Sequence, residues 1–446
     1  MRRRAAVVLG LALFAVLTGA MLALSPAVAA TPTPTTPAVD AEVTPSGTES
    51  PAPAGEQGIR VRVLNAGADV AGVDITVILD GEEVESGESL DSGFLELPVT
   101  EPGAYTVTID PETLPDGLTA QRESIELAVQ LGGFRPAIFP LTGGDDAGAG
   151  AGGPNRFLQL SAQGLRFGLI TALAAIGLSV IFGTTGLTNF AHGELVTFGA
   201  FSGLVLNVGL GIPLLVAAPI AVVVSGLFGL LNDLALWQPL RRRGTGLVAM
   251  MIVSIGLAIV LRYSFLFFFG GQVQPYDDYQ AQAGLDLGPI TLRPADLVSM
   301  ALATVVLLLV SVALLRTRLG KATRAVADNP ALAAATGINV DAVIRVVWVA
   351  GAALAGLAGI LLSLAQGGSQ FEMGFQILLL VFAAVTLGGL GTAFGALFGS
   401  LVVGIFIEVS TVWVPAELKN VGALAILIII LLVRPQGILG RAERVG

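Results

Sequence analysis

Beyond Asn155 the chain passes through one long apolar stretch after another, and nothing else in it restricts the fold as much. The stretches lie near 160–182, 193–208, 213–235, 247–269, 296–315, 342–365, 375–390, 394–412 and 421–433. A helix needs about 20 apolar residues to cross roughly 30 Å of hydrocarbon. Lipid offers backbone polar groups no partner, so each crossing must satisfy them internally. The expected fold over 156–446 is therefore an all-α polytopic membrane domain with about nine helical crossings, two of them next to glycine-rich breaks. Eight spans plus a re-entrant segment is the competing count. Composition agrees, with 54% hydrophobic and 13% charged residues, against about 25% charged in a soluble domain. There is no Cys and one His, which excludes disulfides, thiolate chemistry and multi-His metal sites. No catalytic residue, metal or cofactor is expected in the chain.

The front of the chain is different. Residues 31–155 hold 21 acidic and 4 basic side chains, whereas 156–446 hold 12 and 16. Residues 1–30 combine Arg2, Arg3 and Arg4 with an apolar run and the small-residue end Ala27-Val28-Ala29-Ala30. That pattern reads as a signal peptide, cleaved after Ala29 or Ala30 or else kept as an anchor helix. Residues 31–57, rich in Pro, Thr, Ala and Glu, are expected to be a disordered linker. From 58 to 142 apolar residues alternate, as in Ile59, Val61, Val63 and in Tyr105, Val107, Ile109. Asp80-Gly81 marks a hairpin. This segment is predicted to be a small antiparallel β-sandwich, and its stretch from Gly72 to Ile109 resembles carboxypeptidase-regulatory-like or Cna-B-like domains. Glu82, Glu83, Glu85 and Glu88 read as a solvated face, with a cation or partner site as the other option. Residues 143–155 form a second linker.

Basic clusters set the orientation. Arg241–Arg243, the group Arg316, Arg318, Lys321, Arg324, and Arg434, Arg441, Arg444 belong on the cytoplasmic side by the positive-inside rule. Asp277, Asp278 and Asp286 place the loop 270–293 outside. The expected arrangement is a multi-pass bacterial inner-membrane protein, with 31–155 extracytoplasmic and the C-terminus cytoplasmic.

One segment is unusual for a membrane interior: Gly186-Leu187-Thr188-Asn189-Phe190-Ala191-His192-Gly193-Glu194. It breaks a helix and sets Asn189, His192 and Glu194 within six residues. Leu387-Gly388-Gly389-Leu390-Gly391 is a second break. Interrupted apolar segments in the two halves of a transport domain point to a translocation pathway; close helix packing through glycine is the other explanation. Glu408 is expected mid-span, buried, in structural pairing or substrate contact. His192 and Glu194 could equally serve function or brace the broken helix. Arg166, Asp233 and Arg262 carry no expected role, and Asp341 with Arg345 reads as an i, i+4 ion pair.

The first motif resembles the G-x-x-N-F-A-H-G-E hallmark of branched-chain amino acid ABC permeases of the LivH-like kind. Trp237-Gln238-Pro239-Leu240-Arg241, Gly404-Ile405-Phe406-Ile407-Glu408 and Val433-Arg434-Pro435-Gln436-Gly437 resemble that family in order. The resemblance implies a pathway built around Gly186, Asn189, Phe190, His192, Gly193, Glu194, Gly388, Gly389, Gly391 and Glu408. It also implies a second, LivM-like permease, two cytoplasmic ATPases of the LivG/LivF kind and an extracytoplasmic substrate-binding protein, with ATP bound by the partners and no nucleic acid involved. Membrane lipid surrounds the assembly. Residues 316–341 then match the ATPase-coupling loop: basic residues including Arg324, an Asn329 cap, a short helix with Ala333 and Ala334, and Gly337 followed by Ile338. Gly320-Lys321-Ala322-Thr323 mimics the tail of a nucleotide-binding loop, but Leu315 stands where its first glycine belongs. Urea or short amides are the alternative cargo. An ion-coupled secondary transporter and a membrane-anchored adhesion or sensing protein are the readings from other classes.

Overall fold

The computed structural model describes residues 58–143 and 154–413 apart from short loop stretches, then isolated positions from 421 to 438. The signal peptide, the linker 31–57, most of 143–155 and most of the ninth apolar stretch lie outside the described residues. The described residues form two compact units.

The first unit is built from strands, because its apolar residues recur at every second position. The strands are β1 (Gly58–Asn65), β2 (Ala68–Asp69), β3 (Asp74–Leu79), β4 (Glu82–Glu88), β5 (Leu95–Pro98), β6 (Gly103–Ile109), β7 (Leu118–Ala120), β8 (Ser124–Val129) and β9 (Phe134–Gly143). One sheet has the order β2-β1-β9-β7, with β5 also on β1; the other runs β4-β3-β6-β8. Ile59, Val61, Ile75, Val77, Val107 and Phe139 belong to one buried core to which both sheets contribute. The Tyr105 hydroxyl donates to the Glu101 carbonyl at 2.6 Å, fastening the approach to β6. Strands β3 and β4 form the expected hairpin, with Leu79 opposite Glu82.

One pairing departs from an all-antiparallel arrangement. β1 and β9 run parallel from Gly58 opposite Phe134 to Asn65 opposite Leu141. A parallel pair needs a long crossover, and residues 66–133 supply it. Alternation reports which face is buried but not the direction of the neighbouring strand. The glutamates of β4 are exposed on an edge strand, where like charges discourage pairing with another chain. Among the described residues no cluster could hold a metal ion.

The second unit is helical: α1 (Pro154–Thr185), α2 (His192–Leu204), α3 (Leu214–Asn232), α4 (Gln238–Arg242), α5 (Leu247–Phe269), α6 (Pro294–Arg316), α7 (Arg318–Asp328), α8 (Pro330–Ala335), α9 (Val340–Gln366), α10 (Met373–Gly388) and α11 (Ala393–Ser410). A π-helical turn, Asp233–Trp237, joins α3 to α4, and another, Val205–Gly209, follows α2. Among the described residues six helices are long and apolar enough to cross a membrane: α1, the continuous α3–α4, α5, α6, α9 and α11; α10 is a shorter apolar helix. The unit is that of a polytopic membrane protein.

Helix α1 packs on α11 and α9, and α9 packs on α2 and α3. Apolar side chains gain nothing by leaving lipid for one another, so close packing must hold these helices together. Gly168 lies against Gly404, and Gly199 against Gly356, closely enough that a Cβ on Gly404 or Gly199 would overlap the facing backbone. α5 is buried along a single stripe, Met250, Ser254, Ala258, Leu261 and Phe265.

Ion pairs add to this packing. Arg166 meets Asp296 at 2.6 Å, and Arg241 meets Asp233 at 2.7 Å. Asp341 does not pair with Arg345 one turn along its own helix; its partner is Arg242, at 2.8 Å. The π turn and α4 carry Arg242 across to α9, an approach between segments 99 residues apart that local spacing cannot reveal.

Candidate translocation pathway and coupling element

The first break is a self-satisfied turn between α1 and α2. Gly186 takes φ +68°, a left-handed conformation that glycine adopts without a Cβ clash, and its N–H still reaches the Phe182 carbonyl at 2.7 Å. The Asn189 carboxamide oxygen accepts from the Ala191 N–H at 3.1 Å. The Phe190 N–H donates to the Ser254 hydroxyl of α5 at 3.0 Å. The Phe190 ring lies 5.2 Å from that of Phe382 on α10. The backbone groups freed by the break thus find protein partners, as a non-helical segment at membrane depth requires.

His192 and Glu194 open α2, and both are buried. The His192 ring, through Nε2, is 2.9 Å from the Ala174 carbonyl of α1. Glu194 Oε1 accepts from Arg262 of α5 at 3.1 and 3.2 Å. The Arg262 guanidinium in turn lies 3.8 Å from the ring centroid of Phe375 on α10. The motif therefore ties α1, α2, α5 and α10 together. Arg262, Phe375 and Ser254 are the partners that sequence reading missed. The available signal for Arg262 was a charge inside an apolar span.

Gly193 backs directly onto Gly374, where a Cβ would overlap the Gly374 carbonyl. The second break follows α10. Gly388 packs against Gly395, Gly389 has φ +111° and Gly391 φ +79°. The Thr392 hydroxyl donates to the Gly389 carbonyl at 2.8 Å. The two breaks meet: a Cβ on Gly183 would lie 3.1 Å from the Gly391 carbonyl oxygen and 3.3 Å from its Cα. Glu408 is elsewhere. It is half-buried, two residues before α11 ends at Ser410, and not mid-span. The helix stops there because its last turn closes on Thr411, whose hydroxyl donates to the Glu408 carbonyl at 2.6 Å.

The segment after α6 forms two short helices, not one. Thr317 caps α7 by accepting from the Gly320 N–H at 3.0 Å, and Arg324 donates back to the Leu314 carbonyl at 2.7 Å. The buried residues Gly320, Thr323 and Val326 recur every three, a helical spacing hidden among the basic residues. Asn329 caps α8, its side chain accepting from the Leu332 N–H at 2.9 Å. Gly337, at φ +88°, ends it, and the Ile338 N–H returns to the Ala333 carbonyl at 3.1 Å. Ala333 is buried in a cluster with Trp237, Val343, Ile344 and Trp348, and Ile338 packs on its edge. Ala334 and Leu332 on the other side are exposed.

Residues 160–432, which contain both breaks and the α7–α8 element, match the family described as branched-chain amino acid transport system / permease component. The chain belongs to that family. This permease is 33% identical to the high-affinity branched-chain amino acid transport system permease protein LivH of Escherichia coli K12, over 64% of this chain and 96% of that one. It is 31% identical to BraD of Pseudomonas aeruginosa, a permease of the same description, over 64% and 97%. With LivM of Salmonella typhimurium, also described as such a permease, it shares 27% over 61% and 68%. The strand-built unit of the permease lies outside the family match.

Proposed function

We propose that this permease is the membrane subunit of an ABC importer that moves branched-chain amino acids across the bacterial inner membrane. The match of 160–432 to the permease family carries the reading, and it favours neither urea, nor ion coupling, nor adhesion. The subunit works beside a second, LivM-like permease and receives solute from an extracytoplasmic binding protein. ATP is bound and hydrolysed by two cytoplasmic ATPases. The chain crosses the membrane about nine times, the shorter helices and the region 421–433 completing the six long spans. Its C-terminus is cytoplasmic, and its two sheets form an outer β-sandwich of 58–142 after a signal peptide.

The packing suggests how ATPase movement reaches the pathway. The exposed face of α8, with Ala334 and Leu332, docks on an ATPase. The other face, through Ala333, is buried against Val343, Ile344 and Trp348 of α9. α9 lies directly on α2, with Gly356 against Gly199. A push on α8 is therefore delivered through α9 to α2, the helix that follows the Asn189–Glu194 break. Packed helices transmit such displacements because close-packed interiors yield little. Gly193, Gly388 and Gly391 permit the close backbone contacts on which the breaks pivot.

The experiment is affinity purification of the complex with Ala334→Glu. Insertion and expression should be unchanged, while co-purified ATPase and ATP-dependent uptake fall together. Full ATPase retention by the variant would show that α8 is not the docking element.

A further inference from the structure

Between α1, α6 and α9 the helical unit holds a cavity of about 360 Å³. Its origin is the path of α6. α6 is buried through Asp296, Ser299, Ala303 and Leu307. Farther along, Val310 and Leu314 stand back and become one wall of the cavity. Ile176 and Val180 of α1 and Val347 and Leu354 of α9 supply the opposite walls. Thr317, Leu319 and Gly320 line it at the end of α6, beside the exposed Arg316, Arg318 and Lys321.

An apolar cavity gives water no hydrogen-bond partners, and this one is the size of a small-molecule site. The medium beside it is lipid, since Leu308, Leu309 and Val312 on the outer side of α6 are exposed. Cationic side chains at a membrane surface attract anionic headgroups, and basic pockets between spans bind them. We propose that the cavity takes one acyl chain of an anionic phospholipid whose headgroup rests on Arg316, Arg318 and Lys321. The lipid fills the gap between α6 and α9 beside the α7–α8 element. This rests on the membrane reading of the helical unit, not on the solute carried or the ATPase.

The test is native mass spectrometry of the full chain with dioleoylphosphatidylglycerol or dioleoylphosphatidylcholine at equal concentration. The parent should retain one phosphatidylglycerol in preference to phosphatidylcholine. Ala350→Phe, which fills the cavity from α9, should lose retention of both lipids. Arg318→Glu with Lys321→Glu should lower the preference for phosphatidylglycerol by about tenfold while leaving the cavity open. Equal retention of the two lipids by the parent would overturn the proposal, as would unchanged retention by Ala350→Phe. Loss of the second permease from the purified complex on Ala350→Phe, with lipid still retained, would assign the cavity to a subunit contact and overturn it too. Uptake plays no part in these readouts, so failure here is separable from failure of the transport reading.

Discussion

Arg262 stands in the run Leu247–Phe269, which holds no acidic residue, and its partner Glu194 lies 68 positions earlier. The sequence shows that both residues are unusual in a span but not that they meet, because the meeting depends on how α5 packs on α2. A buried charge left alone in low dielectric is costly: breaking such a pair destabilises by about 3–5 kcal/mol. Arg262→Leu should therefore lower thermal stability in detergent sharply. Glu194→Gln added to it should restore most of the loss, since no charge is then stranded. Independent, additive losses would show that the two side chains do not form a pair. A second contrast lies in the glycines. Gly199→Val would force α2 from α9 and should cost about 1–3 kcal/mol by overpacking. Gly256, with nothing within 4 Å of its would-be Cβ, should accept Ala with a gain of up to about 1 kcal/mol. Paired melting curves decide this. Equal effects at the two positions would contradict the packing described.

At the scale of elements, apolar length alone located the helices, because a span must be continuous and lipid tolerates nothing else. It located their ends less well. α1 begins before the expected 160, and α3 runs on through the π turn Asp233–Trp237 into α4. The charged end 238–242 reads as loop until Asp233 and Asp341 are found as partners for Arg241 and Arg242. Helix α7 was hidden because its basic face outweighs the spacing of Thr323 and Val326. The breaks were legible, since glycine and Asn-x-x-His-x-Glu are out of place in a span; which helix each side chain braces was not. In the strand-built unit, alternation identified Ile59, Val61, Val63, Tyr105, Val107 and Ile109 as core, while the parallel pairing of β1 with β9 left no local trace. The first and last strands are therefore paired, and the unit closes on its own buried core. A purified fragment of 58–143 should unfold cooperatively, with a sheet-type circular dichroism spectrum. A non-cooperative, gradual loss of signal would show that these strands need the rest of the chain.

The whole molecule joins a family permease to an acidic strand-built unit beyond the family match. The transport part belongs to the branched-chain amino acid permease family, and in it α8 packs on α9 and α9 on α2, the route proposed for ATPase movement. That route has a function only if ATP drives the movement. The decisive measurement is uptake of labelled leucine into proteoliposomes that hold the reconstituted complex, with ATP enclosed, binding protein outside and ionophores collapsing every ion gradient. Leucine should accumulate with ATP, and omission of this chain should abolish it. Accumulation that the ionophores abolish while ATP is present, or uptake of urea with none of leucine, would contradict the account.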